Sequence, residues 1–269
     1  MAKVSGMKVE NSGLTRGLNV VSAIAESKTP LRFADLQSSL EVPKATLHRL
    51  LTSLQLEGMV RLEESSQTYR VGYRLLELAN MAWKQSDVRD LAYPFMLELA
   101  EFSGESVQLA VLVDSNAVYL SQVESEQSIR YTVSVGDKSP AYCSGVGKAM
   151  LAMLPAEHQA TLIQSLEFKR YTQQTITSPA LLRRQLNEIK KNGFAMDNEE
   201  HQHGVCCVAA AIVDSLGMPV AAISVTAPTF RVTDSNFQDW GRRVTKASEA
   251  IAQRLQPETN LNLEVRYNG

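Results

Sequence analysis

The chain has 269 residues, of which 44% are hydrophobic and 21% charged, a composition typical of globular proteins with one or two domains. Its net charge of −2 excludes a uniformly basic nucleic-acid binder. No apolar run approaches the ~20 residues of a membrane span. The first residues show no signal-peptide pattern, so we expect a cytoplasmic protein without a membrane partner.

The charge is distributed unevenly along the chain. Up to Ser86 it carries 11 Lys and Arg against 8 Asp and Glu, a net charge of +3, whereas the remainder carries 16 against 21, a net charge of −5. A basic front joined to an acidic back indicates a DNA-contacting module attached to a second domain. The three cysteines form no C-x-x-C pair and are expected to be reduced thiols.

Three helices are predicted before residue 57. The first covers residues 14–27, with an apolar face made by Leu14, Leu18, Val21, Ile24 and Ala25. The second covers 33–40, and a tight turn leads into the third at 43–56, which begins at a favourable proline and repeats leucine at helical spacing. Two short helices joined in this way make a helix-turn-helix.

The third helix carries an unusual polar face. Opposite its leucines it has small, hydroxyl-bearing or basic residues and no acid, whereas a solvated helix face usually carries Glu–Lys pairs. Such residues allow a helix to lie in a DNA major groove and reach phosphates and base edges. For this helix taken alone, an ordinary amphipathic helix remains the alternative.

A hairpin is predicted directly after this helix. Residues 59–62 and 68–71 alternate with period two around a polar turn, as the wing of a winged helix-turn-helix does. The predicted DNA-contacting residues lie on the first helix, the third helix and the wing. They are Arg16, Lys44, Ala45, Thr46, His48, Arg49, Thr52, Ser53, Arg61 and Arg70.

The rest of the chain mixes helices and strands. Helices are predicted at 73–85, 87–102, 144–154, 156–166, 180–191 and 234–255, and strands at 106–113, 117–123, 129–135, 206–213 and 220–225. Helices gathered around an antiparallel sheet define an α+β fold class.

Several motifs together resemble one family. The front contains PKATLHRLLTSLQLEGMV and YRVGYRLLELA, and the back contains YCSGVGKAMLA, TQQTITS, GFAMDNEEHQHGVCCVAAAI and AAISVTAP. In this order, over residues 14–255, they resemble the IclR family of bacterial transcriptional regulators. The resemblance implies a winged helix-turn-helix joined by a linker helix to a GAF-like effector-binding domain. It also implies a homodimer or homotetramer on a palindromic DNA operator, often as a repressor of a catabolic operon.

The resemblance divides the chain into five parts. They are a leader at 1–13, the winged helix-turn-helix at 14–73, the linker helix at 74–86, the effector-binding domain at 87–257 and a tail at 258–269. The implied effector is a small carboxylate, held by backbone N–H groups where a glycine-containing turn enters a helix, as a helix N-terminus favours an anion. The implied pocket residues are Tyr131, Ser139, Ser144, Gly145, Val146, Gly147, Asp197, Val205, Cys207, Ser224 and Thr226.

Three features refine the expected effector. Ser224 and Thr226 alternate along a strand, so both hydroxyls should face one side of it. The charge of Asp197 would repel a second carboxylate, which favours a monocarboxylate bearing hydroxyl or keto groups. The stretch FKRYTQQTITS is similar to regulators that respond to the sugar acid 2-keto-3-deoxygluconate.

Several of these residue types also occur in metal, phosphate and catalytic sites. His201, His203, Cys206 and Cys207 are possible zinc ligands, but their spacing matches no standard site, and no metal or cofactor is expected. Lys148 follows two glycines without the full phosphate-loop pattern, so it is expected either on the helix surface or paired with an acid. No nucleophile–base–orienter set is present, and the protein is not expected to be an enzyme. The alternative is a small-molecule enzyme or sensor whose N-terminal helices serve oligomerisation.

Overall fold

The computed structural model describes residues 13–84 and 87–255, so the predicted leader before Gly13 and the tail at 258–269 lie outside the described residues. The chain divides into two compact units, Met1–Gln85 and Ser86–Gly269. The finer domain limits at 73, 86 and 257 stay predictions. Within the described residues, no helix is both long enough and apolar enough to cross a membrane.

The first unit is a winged helix-turn-helix, which confirms the predicted fold. Its elements are α1 (Gly13–Glu26), β1 (Leu31–Arg32), α2 (Phe33–Leu40), α3 (Lys44–Leu56), β2 (Val60–Glu63), β3 (Thr68–Val71) and α4 (Arg74–Lys84). The three strands form an antiparallel sheet in the order β1-β3-β2. Strand β1 was not predicted, because two residues are too few to show an alternating pattern.

The core of the first unit lies between α1, α2 and α3. Leu36, Leu47 and Leu51 are almost fully buried there. The predicted apolar face of α1 is partly wrong, since Leu14 is 74% exposed and Leu18 50% exposed. The helix buries instead Gly17, Val20, Val21 and Ile24. A Cβ on Gly17 would already touch Leu54, so the glycine lets α1 approach α3 along a face that large apolar residues alone do not mark.

The second unit is an α+β domain built on one six-stranded antiparallel sheet, as predicted for the fold class. Its strands are β4 (Ser106–Val113), β5 (Asn116–Val123), β6 (Lys138–Pro140), β7 (Ala195–Asn198), β8 (Val205–Val213) and β9 (Pro219–Pro228). Their order in the sheet is β6-β5-β4-β9-β8-β7. The helices are α5 (Asp87–Ser103), α6 (Gly145–Met153), α7 (Ala156–Ser165), α8 (Pro179–Asn192) and α9 (Asp234–Arg254).

The two faces of this sheet support separate apolar cores. Helices α5 and α9 pack on one face, through residues such as Met96 and Val244. Helices α6 and α8 pack on the other, through residues such as Met150 and Leu186. This second face also carries most of the buried polar side chains described below.

The predicted strand at 129–135 is wrong, since the structure has no strand there and places the third strand of the domain at β6. The backbone of this segment bonds to side chains instead of to a neighbouring strand. Ser106 Oγ donates to the carbonyl of Tyr131 at 2.7 Å, and the N–H of Val133 donates to Gln122 Oε1 at 2.9 Å. Such side-chain partners compete with sheet pairing.

The junction after the wing gives a test of packing in the first unit. Gly72 is buried, and a Cβ added to it would lie 1.9 Å from the carbonyl oxygen of Gly58. We expect Gly72→Ala to lower the free energy of unfolding of this unit by about 2–3 kcal/mol, because backbone must move to admit the methyl group. Urea unfolding measures the change.

Gly13→Ala is the matched control, because its Cβ would meet nothing within 4 Å and it lies at the start of α1. Its stability should equal or slightly exceed that of the wild type, as alanine favours a helix. Equal stabilities for the Gly72 variant and the control would refute the packing argument.

Candidate nucleic-acid interface and ligand pocket

Helix α3 presents the polar face predicted from the sequence. It starts where the carbonyl of Pro43 accepts from the N–H groups of Thr46 and Leu47, at 2.9 and 3.0 Å. Leu47 and Leu51 are buried, while Thr46 is half-buried. The exposed predicted contacts are Lys44, Ala45, His48, Arg49, Thr52 and Ser53. This strip combines two cations with a histidine and two hydroxyls and contains no carboxylate.

The wing adds two arginines to the same unit. Arg61 on β2 and Arg70 on β3 are exposed and stand directly opposite each other in the antiparallel pair. Like charges in this position repel each other, so an anion between or beside them would be stabilising. Arg61 also lies 4.9 Å from the ring centroid of Tyr73. Arg16 on α1 is half-buried and already interacts within the protein, which makes it less accessible than the exposed residues of α3 and the wing.

In the second unit, the helix that follows the glycine-containing turn is deeply buried. Every residue of α6 from Gly145 to Ala152 is buried. Ser144 precedes it in an extended conformation, and its hydroxyl donates to the carbonyl of Pro140 at 2.9 Å. The first backbone N–H groups of a helix have no intrahelical acceptor. A buried helix start of this kind suits a bound anion.

The two glycines of the turn are needed for packing against the protein itself. A Cβ on Gly145 would lie 2.8 Å from Cys207 Sγ, and one on Gly147 would lie 2.3 Å from the Cα of Ala141. They bring the start of α6 against strand β8 and its own preceding loop, and the assignment of this turn to a ligand stays a prediction.

A row of polar residues crosses the sheet beneath α6. The register places Asp197 opposite Cys207, Cys207 opposite Thr226, and Thr226 opposite Ser106. Two residues along β9, Ser224 faces Gln108. Ser224 Oγ and Thr226 Oγ1 both donate to Gln108 Oε1, at 3.0 and 2.8 Å. The predicted placement of both hydroxyls on one side of β9 is therefore confirmed.

Two tyrosines and a serine complete the polar face. Tyr119 Oη and Ser139 Oγ are 3.3 Å apart. Burial raises the pKa of Tyr131 to about 12, with further contributions from the nearby Cys207 and Asp197. Tyr131 and Ser139, which lie far from β8 in sequence, are thus brought to the same region as Cys207. Val205 is half-buried at the start of β8, two residues before Cys207 and on the same side of the strand.

Asp197 is buried beside an ion pair. Its Oδ1 accepts from the backbone N–H of Glu200 at 2.7 Å, so it fixes the turn between β7 and β8. Burial raises the pKa of Asp197 to about 7, although the neighbouring ammonium of Lys148 opposes the shift. A carboxyl that gains and loses its proton near neutral pH can act either as a donor or as an acceptor toward a ligand.

Lys148 is fully buried, so its predicted alternative on the helix surface is wrong and the pairing with an acid is correct. Its Nζ donates to Glu200 Oε1, to Gln185 Oε1 at 2.8 Å and to the carbonyl of Met196 at 2.7 Å. Three acceptors match the three N–H bonds of an ammonium. The ion pair therefore holds α6, α8 and β7 together.

Sequence reasoning missed three buried polar residues of this region. Gln108 Nε2, Gln122 Nε2 and Glu200 Oε2 have no hydrogen-bond partner among the described residues. A buried polar atom left in this state costs about 1–3 kcal/mol. One sequence pattern could have indicated this polar region. Ser106 and Gln108 are alternate residues of an otherwise apolar strand, which indicates a polar face on a buried sheet.

The cysteines and histidines near β8 do not converge on one point. Cys206 packs with the α5–α9 core and Cys207 with the α6–α8 core, on opposite faces of the sheet. Within residues 13–84 and 87–255 there is no group of three or more His, Cys, Asp or Glu side chains that could hold a metal. Burial raises the pKa of Cys207 to about 12 and raises that of Cys143, which keeps both thiols protonated and poorly nucleophilic.

Asp197 gives a pH-dependent test of this site. Its pKa is about 7 in the folded protein, against 3.8 for an ordinary carboxyl. Protonation of Asp197 thus stabilises the folded protein. This contribution to the free energy of unfolding is fully present below pH ~4 and is lost as the pH rises through about 7. We expect the unfolding free energy of the wild type, minus that of Asp197→Asn, to fall by about 1.4 kcal/mol per pH unit between pH ~4.5 and ~6.5.

Urea unfolding at a series of pH values measures this difference. Asn keeps the oxygen that accepts from Glu200, so the turn is preserved. Asp90→Asn, at an exposed position of α5, serves as the control for the loss of a surface carboxylate. A flat difference for Asp197→Asn would show that this carboxyl titrates as it does in the unfolded chain.

Both units match known protein families. The family model of the IclR helix-turn-helix domain matches residues 13–64, and that of the bacterial transcriptional regulator IclR C-terminal domain matches residues 80–253. The chain is 34% identical to the transcriptional repressor IclR of Escherichia coli K12, with 88% of each chain covered. It is 26% identical to the transcriptional regulator KdgR of the same organism, with 91% of this chain and 92% of that protein covered.

Solved structures agree with this likeness. The crystal structure of IclR from Thermotoga maritima matches with a TM-score of 0.71 and 27% identity, covering 90% of this chain and 98% of the other. The family consists of regulators and not of enzymes, which argues against the enzyme alternative. The chain belongs to the IclR family of DNA-binding transcriptional regulators, with an N-terminal helix-turn-helix domain and a C-terminal effector domain.

Proposed function

We propose that this regulator binds a palindromic operator through α3 and the wing, and that a small carboxylate bound in the second unit modulates this binding. The acid-free exposed face of α3 beside the opposed Arg61 and Arg70 is the observation that carries the DNA part. Relatives named as repressors, among them IclR and AllR, support repression of a catabolic operon as its action. Action on operator DNA places the protein in the cytoplasm.

Different residues of the interface are assigned different tasks. Lys44 at the first turn of α3 and the two wing arginines are placed to neutralise phosphates, which gives affinity without sequence preference. Arg49, in the middle of the exposed face, is long enough to donate to a guanine edge. The hydroxyls of Thr52 and Ser53 and the ring of His48 complete the contact.

Oligomerisation follows from the same unit. A single winged helix makes few base contacts, so a specific site needs two half-sites related by two-fold symmetry. Exposed apolar side chains on α1 and α4 support self-association: Leu14, Leu18, Leu76, Leu78 and Met81 are all between 43% and 74% exposed. Apolar side chains of this kind mark an interaction surface where they form one contiguous patch. A homodimer or homotetramer is the proposed state.

The effector is proposed to bind between the start of α6 and the polar row of the sheet. Backbone N–H groups of Gly145, Val146 and Gly147 would take the carboxylate, since they are buried donors at a helix start and the nearby ammonium of Lys148 is already paired with Glu200. Ser224, Thr226 and Asp197 would take hydroxyl or keto groups. Tyr131, Ser139, Ser144, Val205 and Cys207 would form the walls. A monocarboxylate such as a keto or sugar acid fits this arrangement.

The DNA assignment is tested on a site selected from a randomised duplex library. Arg49→Ala should weaken binding to that site and relax the preference at one base pair of each half-site, by about 1–3 kcal/mol of discrimination. Lys44→Ala should weaken binding to all sequences similarly and reduce the salt dependence, because it removes a phosphate contact. Fluorescence anisotropy at several salt concentrations measures both effects.

Arg183→Ala is the matched control for these variants, because it removes an exposed arginine from α8 in the other unit. Its DNA affinity should equal that of the wild type. If Arg49→Ala and Lys44→Ala also bind as the wild type does, α3 is not the recognition helix.

The effector site is tested by calorimetric titration with a panel of monocarboxylates bearing hydroxyl or keto groups. For whichever acid binds the wild type, Ser224→Ala should weaken binding by about 1–3 kcal/mol, because a buried ligand group loses its partner. Ser248→Ala, a buried serine of α9 on the other side of the sheet, should leave the affinity unchanged. Equal affinities for wild type and Ser224→Ala would place the site elsewhere.

A further inference from the structure

Two glutamine side chains on neighbouring strands hold buried donors that have no hydrogen-bond partner among the described residues. Gln108 on β4 and Gln122 on β5 are Cα partners in the antiparallel pair. Gln108 is 1% exposed. The Nε2 atoms of both are buried, and neither has a hydrogen-bond partner among the described residues. Two adjacent orphan donors in one polar face are unusual, because nearly all buried polar groups in proteins are paired.

The orientation of the Gln122 amide is fixed by its neighbour. Its Oε1 accepts from the backbone N–H of Val133 at 2.9 Å, and a backbone N–H can only donate. The other end of the amide is therefore the NH₂ group. In Gln108, Oε1 accepts from the hydroxyls of Ser224 and Thr226, so its NH₂ group is also the end without a partner.

The order of the strands determines how far these glutamines lie from the start of α6. A Cβ on Gly145 would contact Cys207 and Ala209, so the start of α6 lies over β8. From β8 to β4 the sheet order crosses two strand intervals, and to β5 three. At ~4.8 Å per interval, the strands β4 and β5 that carry the two glutamines lie roughly 10 and 14 Å from β8.

We propose that Gln108 and Gln122 form a second recognition element, which donates to an uncharged oxygen at the far end of an elongated carboxylate effector. The inference rests on the proposed function, in which the carboxylate lies at the start of α6. Acids of two or three carbons are too short to reach both elements, whereas a hydroxy or keto acid of roughly five or six carbons spans them with a hydrogen bond at each end.

The chemistry of the pair restricts the distal group. Two NH₂ groups supply donors only, and a keto or hydroxyl oxygen has two lone pairs with which to accept from both. An ammonium group at that end of the ligand would be rejected, because it offers no acceptor. The glutamines thus restrict both the length of the effector and the kind of polar group at its far end.

The variants Gln108→Glu and Gln122→Glu test this element. Glutamate keeps an oxygen to accept from Val133, or from the two hydroxyls, but replaces each NH₂ group by an acceptor. Gln122→Met removes the donors without adding charge. Gln127→Glu, at an exposed position after β5, controls for the added charge. Thermal unfolding and retained operator binding establish that each variant is folded.

The probes are glycolate, glycerate, threonate and gluconate, a series of hydroxy acids of increasing length, titrated by calorimetry. The wild type and Gln127→Glu should bind gluconate at least about ten-fold more tightly than glycerate. Gln122→Met should lose this gain of about ten-fold or more while binding glycerate as the wild type does. The two glutamate variants should also lose the gain, and they should bind glycerate more weakly than the wild type, because their added charge repels a carboxylate.

Two other results overturn the inference and are distinguishable. If the wild type binds the acids without a gain in affinity with length, or if the variants keep that gain, the amide pair does not contact the ligand and the effector pocket stands. If the wild type binds no acid of the series, the carboxylate pocket itself is refuted together with the inference.

Discussion

The effector domain depends on the ion pair and the hydrogen bonds that the buried ammonium of Lys148 makes. Glu200, Gln185 and the carbonyl of Met196 surround it, so one charge connects two helices, a strand and the turn after that strand. Thr172 and Thr175 reach the same turn, since their hydroxyls donate to the carbonyls of Glu199 and Glu200, each at 2.6 Å. Removing one member of such a network leaves the other charge buried and unpaired, which is strongly destabilising.

Local sequence patterns were sufficient to predict much of the fold but little of the site. Helical spacing of leucines and alternation in the wing predicted the first unit, because both signals lie within about ten residues. The burial of Lys148 was not predictable in this way, since its partners are 37, 48 and 52 residues further along the chain. The strand expected at 129–135 failed because its backbone partners are side chains of β4, β5 and a nearby aspartate.

The two proposed sites would recognise their partners by different physics. The face of α3 and the wing is exposed and cationic, so contacts with DNA at this face would be long-ranged and screened by salt. The polar row beneath α6 is buried and offers mainly hydroxyls, amides and backbone donors. Contacts of that kind act at hydrogen-bond distance and depend little on ionic strength, so binding of the proposed effector and binding of DNA would be sensitive to different conditions.

The close packing around the start of α6 has a consequence for how ligand preference can change. Gly147 meets the backbone of Ala141 and Gly145 meets Cys207, so neither position accepts a larger residue without displacement of the helix. The turn that would hold the carboxylate is thus fixed by the fold. The proposed contacts from the strands, at positions 108, 122 and 224, are made by side chains, so they can change without moving this turn. A biosensor for a different acid is therefore best sought by randomising these strand positions and leaving the turn unchanged.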